Sequence, residues 1–219
     1  MTEESNSESK TITSWEDIEN IDRNILRGIY ANGFEKPSPI QAQAIIPIMN
    51  KSDVIAQAQS GTGKTGAFSI GSISNIDVNS NTTQVIILTP TRELTIQVHS
   101  VISKLSEFIK KLKIQTLYGG TSTNDDILKL KEEVPHIIVG CPGRTYDMMR
   151  RNNIVSKNIK MLVLDEADEM LSSGFKDQIY NIFSHLNKEV QLCLFSATMP
   201  RELSNLTEQF MRDPVKILV

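Results

Sequence analysis

The 219-residue chain is short of several features, and each shortage excludes something. It has only two cysteines, Cys141 and Cys193. Their separation gives neither a metal-ligand spacing nor a disulfide framework, which favours a reducing, intracellular setting. Both sit within or at the end of apolar strand-like runs and read as packing residues. No apolar run approaches the roughly 20 residues that a bilayer-spanning helix needs, so no membrane partner is expected. Positive charge is not in excess: 23 Lys and Arg face 26 Asp and Glu, for a net charge of −3. That excludes bulk polycationic binding of nucleic acid, so any such contact must come from locally placed donors. The basic clusters Lys110-Lys111-Lys113 and Arg150-Arg151 read as solvated faces. The stretch from Met1 to Lys10 is acidic and Ser-rich with no apolar segment; residues 1–10 read as a disordered tail and not as a secretory signal. No internal repeat is visible.

What is present is alternation. The hydrophobic content of 39% suits one sizeable domain with its own core. Near-continuous apolar, β-branched runs occur at Val54–Ala58, Gln84–Thr89, Ile114–Tyr118, Ile137–Cys141, Met161–Asp165, Gln191–Ser196 and Val215–Val219. Such runs suit a parallel sheet covered on both faces. Amphipathic stretches lie between them. Leu94, Val98, Val101, Ile102, Leu105, Ile109 and Leu112 form one helical stripe, and Ile179, Ile182, Phe183 and Leu186 another. Pro200 stands where a helix opens ahead of Leu203, Leu206 and Phe210. The alternation predicts an α/β, doubly wound parallel sheet with helices on both faces. Residues 11–44 read as an N-terminal helical extension and 45–219 as the core domain.

Two runs carry chemistry as a pair. Ala58-Gln59-Ser60-Gly61-Thr62-Gly63-Lys64-Thr65 ends like a phosphate-binding loop, although Ala58 stands where Gly is usual. Its glycines let backbone N–H groups close on a phosphate chain. Lys64 can reach the outer phosphates, and the Thr65 hydroxyl can hold Mg²⁺. Asp165-Glu166-Ala167-Asp168 follows the apolar run Met161-Leu162-Val163-Leu164, which puts acids at a strand's carboxyl end, where open α/β sheets bind ligands. Asp165 can serve the metal, partly through water, and Glu166 can orient or deprotonate a water. Either run alone also reads as an ordinary turn or helix start; the pair points to an ATP-type nucleotide site. Just upstream, Phe34 can stack on a base. Gln41 can donate to and accept from an adenine edge. The Pro37-Ser38-Pro39 turn would hold both in place, although alone it reads as a surface turn over a buried Phe.

The remaining short motifs are Pro90-Thr91-Arg92-Glu93-Leu94, Gly119-Gly120, Pro142-Gly143-Arg144 and Ser196-Ala197-Thr198. Each alone reads as a helix start or a turn. In this order, with the phosphate loop and the acidic run, the chain from Trp15 onward resembles the DEAD-box RNA helicases. The longer runs Leu164–Leu171, Gly174–Tyr180 and Phe210–Val219 look most like the cap-complex, translation-initiation branch of that family. The resemblance implies a RecA-like fold and ATP-dependent RNA binding and unwinding. It implies that Phe34, Pro37, Ser38 and Gln41 take the adenine, and that Ser60, Gly61, Thr62, Gly63, Lys64 and Thr65 take the phosphates. Lys64, Asp165, Glu166, Asp168, Ser196 and Thr198 would form the catalytic group, with Asp168 linked to Ser196 and Thr198 to couple nucleotide to RNA. Pro90, Thr91, Arg92, Gly119, Gly120, Pro142, Gly143 and Arg144 would grip the RNA backbone without reading bases, Arg144 as a phosphate-neutralising cation.

Two departures stand out: Trp15 where the family usually has Phe, and Cys141 where it usually has Thr. The family also has a second RecA-like domain, which nothing here resembles. The expectation is therefore the N-terminal half of a longer protein, poorly active alone, with ATP and Mg²⁺ as cofactors. Its partners would be RNA, its own C-terminal RecA-like domain and scaffold or cap-complex proteins. Its place would be the cytoplasm, or the nucleus for an RNA-processing member. An RNA clamp without routine unwinding turnover is the alternative. A phosphate-loop kinase would need a lid and an acceptor pocket, neither of which is visible.

Overall fold

Every apolar run becomes a strand, and all the strand pairings are parallel. The computed structural model describes residues 12–219; the expected tail over 1–10 lies outside the described residues, as does residue 11. The strands are β1 (Val54–Gln57), β2 (Val85–Leu88), β3 (Ile114–Leu117), β4 (Ile137–Gly140), β5 (Met161–Leu164), β6 (Gln191–Ser196) and β7 (Val215–Leu218). Their spatial order is β3-β4-β2-β5-β6-β1-β7. The helices are α1 (Arg23–Ala31), α2 (Pro39–Met49), α3 (Lys64–Ser74), α4 (Arg92–Leu105), α5 (Thr123–Glu132), α6 (Pro142–Arg150), α7 (Ala167–Ser172), α8 (Lys176–His185) and α9 (Arg201–Phe210).

Successive side chains of a strand point to opposite faces, so each strand feeds two cores. Val54, Ala56, Val85, Ile87, Val139, Val163, Cys193 and Phe195 join the core covered by α1 to α4. Ile55, Ile86, Leu88, Ile138, Leu162, Leu164 and Leu194 join the core covered by α5 to α9. This is the two-faced, doubly wound parallel sheet that near-continuous apolar runs predict. Phe68 on α3 meets Phe195 on β6 edge to face, with centroids 5.2 Å apart, and this contact seats the helix that follows the phosphate loop.

Local signals set the helix ends. Thr91 accepts a hydrogen bond from the Leu94 N–H at the start of α4, and Ser122 accepts one from Asp125 N–H at the start of α5. Pro39 and Pro142 occupy the first helical positions of α2 and α6, where a missing N–H costs nothing. Two boundaries differ from expectation. Helix α4 ends at Leu105, short of Ile109 and Leu112, because the Ser106 hydroxyl bonds back to the Ile102 carbonyl at 2.7 Å and closes the last turn. Ile109 and Leu112 still cover the core from the turn beyond. Helix α2 runs through the expected 44/45 boundary without interruption, so the extension and the core share one helix.

Candidate functional site

Six of the seven strands carry a motif at the carboxyl end: the phosphate loop after β1, Pro90–Leu94 after β2, Gly119-Gly120 after β3, Pro142–Arg144 after β4, the acidic run after β5 and Ser196–Thr198 at the end of β6. The strand order places β5, β6 and β1 side by side, and β3, β4 and β2 side by side. The rim therefore has a nucleotide-type half and a second half, joined where β2 meets β5.

In the phosphate loop, Gly61 and Gly63 have φ of 81° and 100°, a left-handed backbone that side chains resist. Thr62 Oγ1 donates to the Gln59 carbonyl at 2.8 Å and tightens the turn. Lys64 opens α3, so the loop amides and the helix N-terminus face one point, a ready anion site. The Lys64 ammonium is 5% exposed, donates to the Ala58 carbonyl at 2.9 Å, and lies 3.6 Å from Glu166 Oε1. Ala58, in the usual Gly position, costs the loop nothing, because its N–H donates to the Ser196 carbonyl and its side chain is buried.

The Phe34–Gln41 turn docks on this loop. Gln41 is buried; its side-chain oxygen accepts from Ser38 N–H at 2.8 Å and its Nε2 donates to the Gly63 carbonyl at 3.1 Å. A Cβ on Gly66 would stand 2.5 Å from Gln41 Nε2 and 3.3 Å from Phe34 Cε1. Gly66 is thus required for this approach, which the sequence did not reveal. Trp15 is fully buried, donates its indole N–H to the Phe34 carbonyl at 2.8 Å, and meets the Phe34 ring edge to face at 6.5 Å. A Phe at 15 could make the ring contact but not the hydrogen bond. Phe34 itself is half-buried, and Pro37 and Ser38 lie half-buried beside it.

At the end of β5, Asp165 is 3% exposed and its Oδ1 accepts from Glu166 N–H at 3.1 Å. Burial, then the Glu166 carboxylate, push Asp165 up to about 7 against the pull of Lys64. Glu166 has φ 53° and ψ 49°, strain of the kind stored at functional sites. Thr65 and Asp165 are the pair that could hold Mg²⁺. A hydroxyl and a buried carboxylate are hard oxygen donors, and a divalent cation would favour the charged form of Asp165 that burial and then Glu166 disfavour. Among the described residues no cluster of three or more His, Cys, Asp or Glu forms a metal cage. Asp168 accepts from Thr198 N–H at 3.0 Å and Thr198 Oγ1–H at 2.6 Å, while its own N–H donates to Ser196 Oγ at 3.3 Å. Desolvation works to raise Asp168, but the bonds from Thr198 and Ser196 outweigh it and hold it below the usual carboxylate range. The expected catalytic group is thus brought together in space.

The second half of the rim is less uniform. Arg92, Gly119 and Gly120 are exposed, and the Arg92 guanidinium lies 5.0 Å over the Tyr118 ring. Thr91 is committed to capping α4. Pro90 and Pro142 are buried, so their part is to shape the loops rather than to present a surface. Gly143 is half-buried in the first turn of α6. Arg144 is not a free cation. Its side chain is 11% exposed and paired with the buried Asp126 of α5, a partner the sequence did not suggest. Cys141 points inward, its Sγ 3.5 Å from Thr95 Oγ1, and burial pushes its thiol up. Only 8% of Cys141 is exposed.

A parallel RecA-like sheet with this loop and this acidic run defines the class of phosphate-loop nucleotide-binding domains. The family model for the DEAD/DEAH box helicases matches residues 38–206, and the chain belongs to that family. Within it, the chain is 50% identical over 216 residues to the ATP-dependent RNA helicase FAL1 of Mycosarcoma maydis, covering 99% of this chain and 54% of that protein. It matches a crystal structure of a DEAD box protein from Methanococcus jannaschii with TM-score 0.90 and 41% identity, over 95% of this chain and 56% of that one. A variant of Dbp5 from S. cerevisiae bound to RNA and ADP–BeF3 matches with TM-score 0.84 and 32% identity, over 95% and 52%. The chain therefore spans about half the length of these relatives.

Proposed function

We propose that this chain is the ATP-binding half of an ATP-dependent RNA helicase, and that it takes ATP, Mg²⁺ and the RNA backbone at one rim of its sheet. The observation that carries the reading is the link across that rim: Asp168, two residues past the water-handling Glu166, holds both Ser196 and Thr198. The Dbp5 neighbour bound to RNA and ADP–BeF3 and the FAL1 relative support it.

In this reading Phe34 stacks on adenine while Gln41 reads its edge. The amides of Ser60 to Thr65 hold the phosphates, and Lys64 exchanges the Ala58 carbonyl for the outer phosphate. Thr65 and Asp165 would hold Mg²⁺, which would supply neutralisation of phosphate charge. Glu166 accepts the proton of the attacking water, and its pairing with Lys64 at 3.6 Å keeps it aimed at the loop. Asp168 conveys the state of that site to β6 through Thr198. Exposed donors on the other half of the rim take sugar and phosphate, so binding is independent of base sequence. A second RecA-like domain of the same protein completes both sites. The resemblance of the runs Leu164–Leu171, Gly174–Tyr180 and Phe210–Val219 to the translation-initiation branch supports a cytoplasmic role in translation initiation with cap-complex or scaffold partners.

Thr198→Val tests the link. The variant loses the 2.6 Å bond to Asp168, worth about 1.5–3 kcal/mol with a charged partner. Nucleotide affinity should hold while RNA stimulation of ATPase in the whole protein falls at least ten-fold; full stimulation would overturn the reading. For the pathway, acute depletion should lower translation before any RNA precursor accumulates, and the reverse order would place the protein in RNA processing.

A further inference from the structure

The loops after β3 and β4 are held together by one network. Arg144, in the first turn of α6, donates from Nη2 to the Thr121 carbonyl at 2.9 Å and from Nη1 to Thr121 Oγ1 at 3.1 Å. The same Nη1 pairs with Asp126 Oδ2. Thr121 Oγ1 also lies 3.0 Å from the Tyr118 carbonyl and 3.3 Å from Asp126 Oδ2. The two charged side chains are 11% and 8% exposed. Both terminal nitrogens of the guanidinium are thus engaged by protein partners, Thr121, which directly follows Gly120, and Asp126. Those glycines are exposed, and Gly120 has φ of 86°. Nothing within 4 Å would meet a Cβ on Gly119.

We propose that Arg144 and Asp126 form a clasp that positions the Gly119-Gly120 loop for the RNA backbone, and that Arg144 is a positioning residue rather than the cation that meets a phosphate. The inference rests on the RNA reading above. It reassigns Arg144 and adds Asp126 and Thr121, which no motif marked. The chemistry gives it a sign. An acid beside a polyanion repels it, so removing Asp126 should strengthen RNA binding if only charge matters. If the clasp matters, removing it should weaken binding, because the loop loses its anchor. Likewise Lys at 144 keeps the charge but cannot form the fork that spans Thr121 and Asp126.

The test uses Asp126→Asn, Arg144→Lys and Thr121→Val in the whole protein. A labelled single-stranded RNA is titrated with ADP–BeF3 across a salt series. Amide exchange of Gly119, Gly120 and Thr121 is followed in parallel, and ADP affinity serves as the control. The clasp predicts about ten-fold weaker RNA binding in all three variants, from loss of a charge-assisted bond. It also predicts an unchanged salt slope, faster exchange confined to the loop, and unchanged ADP affinity. Tighter RNA binding in Asp126→Asn, or wild-type affinity in Arg144→Lys, overturns it. So does an Arg144→Ala salt slope smaller by about 0.7, the loss of one single-strand phosphate contact. Thr121→Val removes no charge, so it decides the matter if a charge variant fails to fold. Wild-type protein that binds no RNA refutes the RNA reading itself, while the exchange data still show whether the clasp holds the loop.

Discussion

Replacing Gln41 by Ala separates two functions that one side chain performs. A carboxamide has two N–H donors and two acceptor lone pairs. Gln41 spends one donor on the Gly63 carbonyl and one acceptor on Ser38 N–H. One donor and one acceptor remain, the pair that an adenine edge requires. The internal bonds are neutral and part-buried, worth about 0.5–1.5 kcal/mol each. Their loss should lower the melting temperature by about 2–4 °C per kcal/mol for a domain of this size. It should also weaken ADP and GDP alike, because Gly63 shapes the phosphate loop whatever base is attached. The external pair is worth about 1–3 kcal/mol of base discrimination, so the ratio of GDP to ADP dissociation constants should fall by about 5- to 150-fold. Calorimetric titration of wild type and Gln41→Ala with both nucleotides reads the two effects independently. Equal weakening of ADP and GDP, with their ratio preserved, would falsify base reading by Gln41 and leave it a loop-positioning residue.

Glu166→Gln in the whole protein should keep nucleotide affinity and lose ATPase by at least about 10²-fold, the lower end for a positioned general base; turnover within a few-fold of wild type removes Glu166 from that role. Trp15→Phe keeps the edge contact to Phe34 but loses the 2.8 Å indole bond, so ADP affinity should drop by about 2- to 10-fold, one neutral hydrogen bond. Unchanged ADP affinity there would mean that Phe34 is held by packing alone. Cys141→Thr should leave RNA affinity within about two-fold of wild type, because the side chain faces Thr95 inside the protein, 3.5 Å away; a contact to RNA phosphate would instead add up to about 1.5–3 kcal/mol. Markedly tighter RNA binding would show that the β4–α6 loop turns this side chain outward.

The parts of this protein that local sequence encodes are the parts that reading it recovers. Strands such as Val85–Leu88 and Ile137–Gly140 are buried on both faces, so their apolar runs admit no other environment. The phosphate loop is legible because left-handed turns at Gly61 and Gly63 need glycine. What stayed hidden depends on spatial neighbours. The order β3-β4-β2-β5-β6-β1-β7 is set by which crossovers bury which faces, not by any one segment. Asp126 looks like a solvated acid in the first turn of a helix until the fold sets it against Arg144. Trp15 shows in the sequence only as a departure from the usual Phe, and its hydrogen bond to Phe34 appears only when 19 residues of chain fold back. The inward turn of Cys141 goes with its contact to the buried Thr95 on α4, which in turn bonds Thr89.

The gathering of motif loops at one rim also tells an experimenter where the protein can be handled. The strands begin at the opposite rim, and the polar turn ahead of β2 includes the exposed Asn81. A dye, an affinity handle or a surface tether at Asn81 stands off from the motif rim by the length of a strand, about 13 Å for four residues. Both native cysteines are buried, so a cysteine introduced there would be the readily accessible thiol among the described residues. Immobilised through it, the molecule would present its motif rim outward, open to ligands and to a second domain.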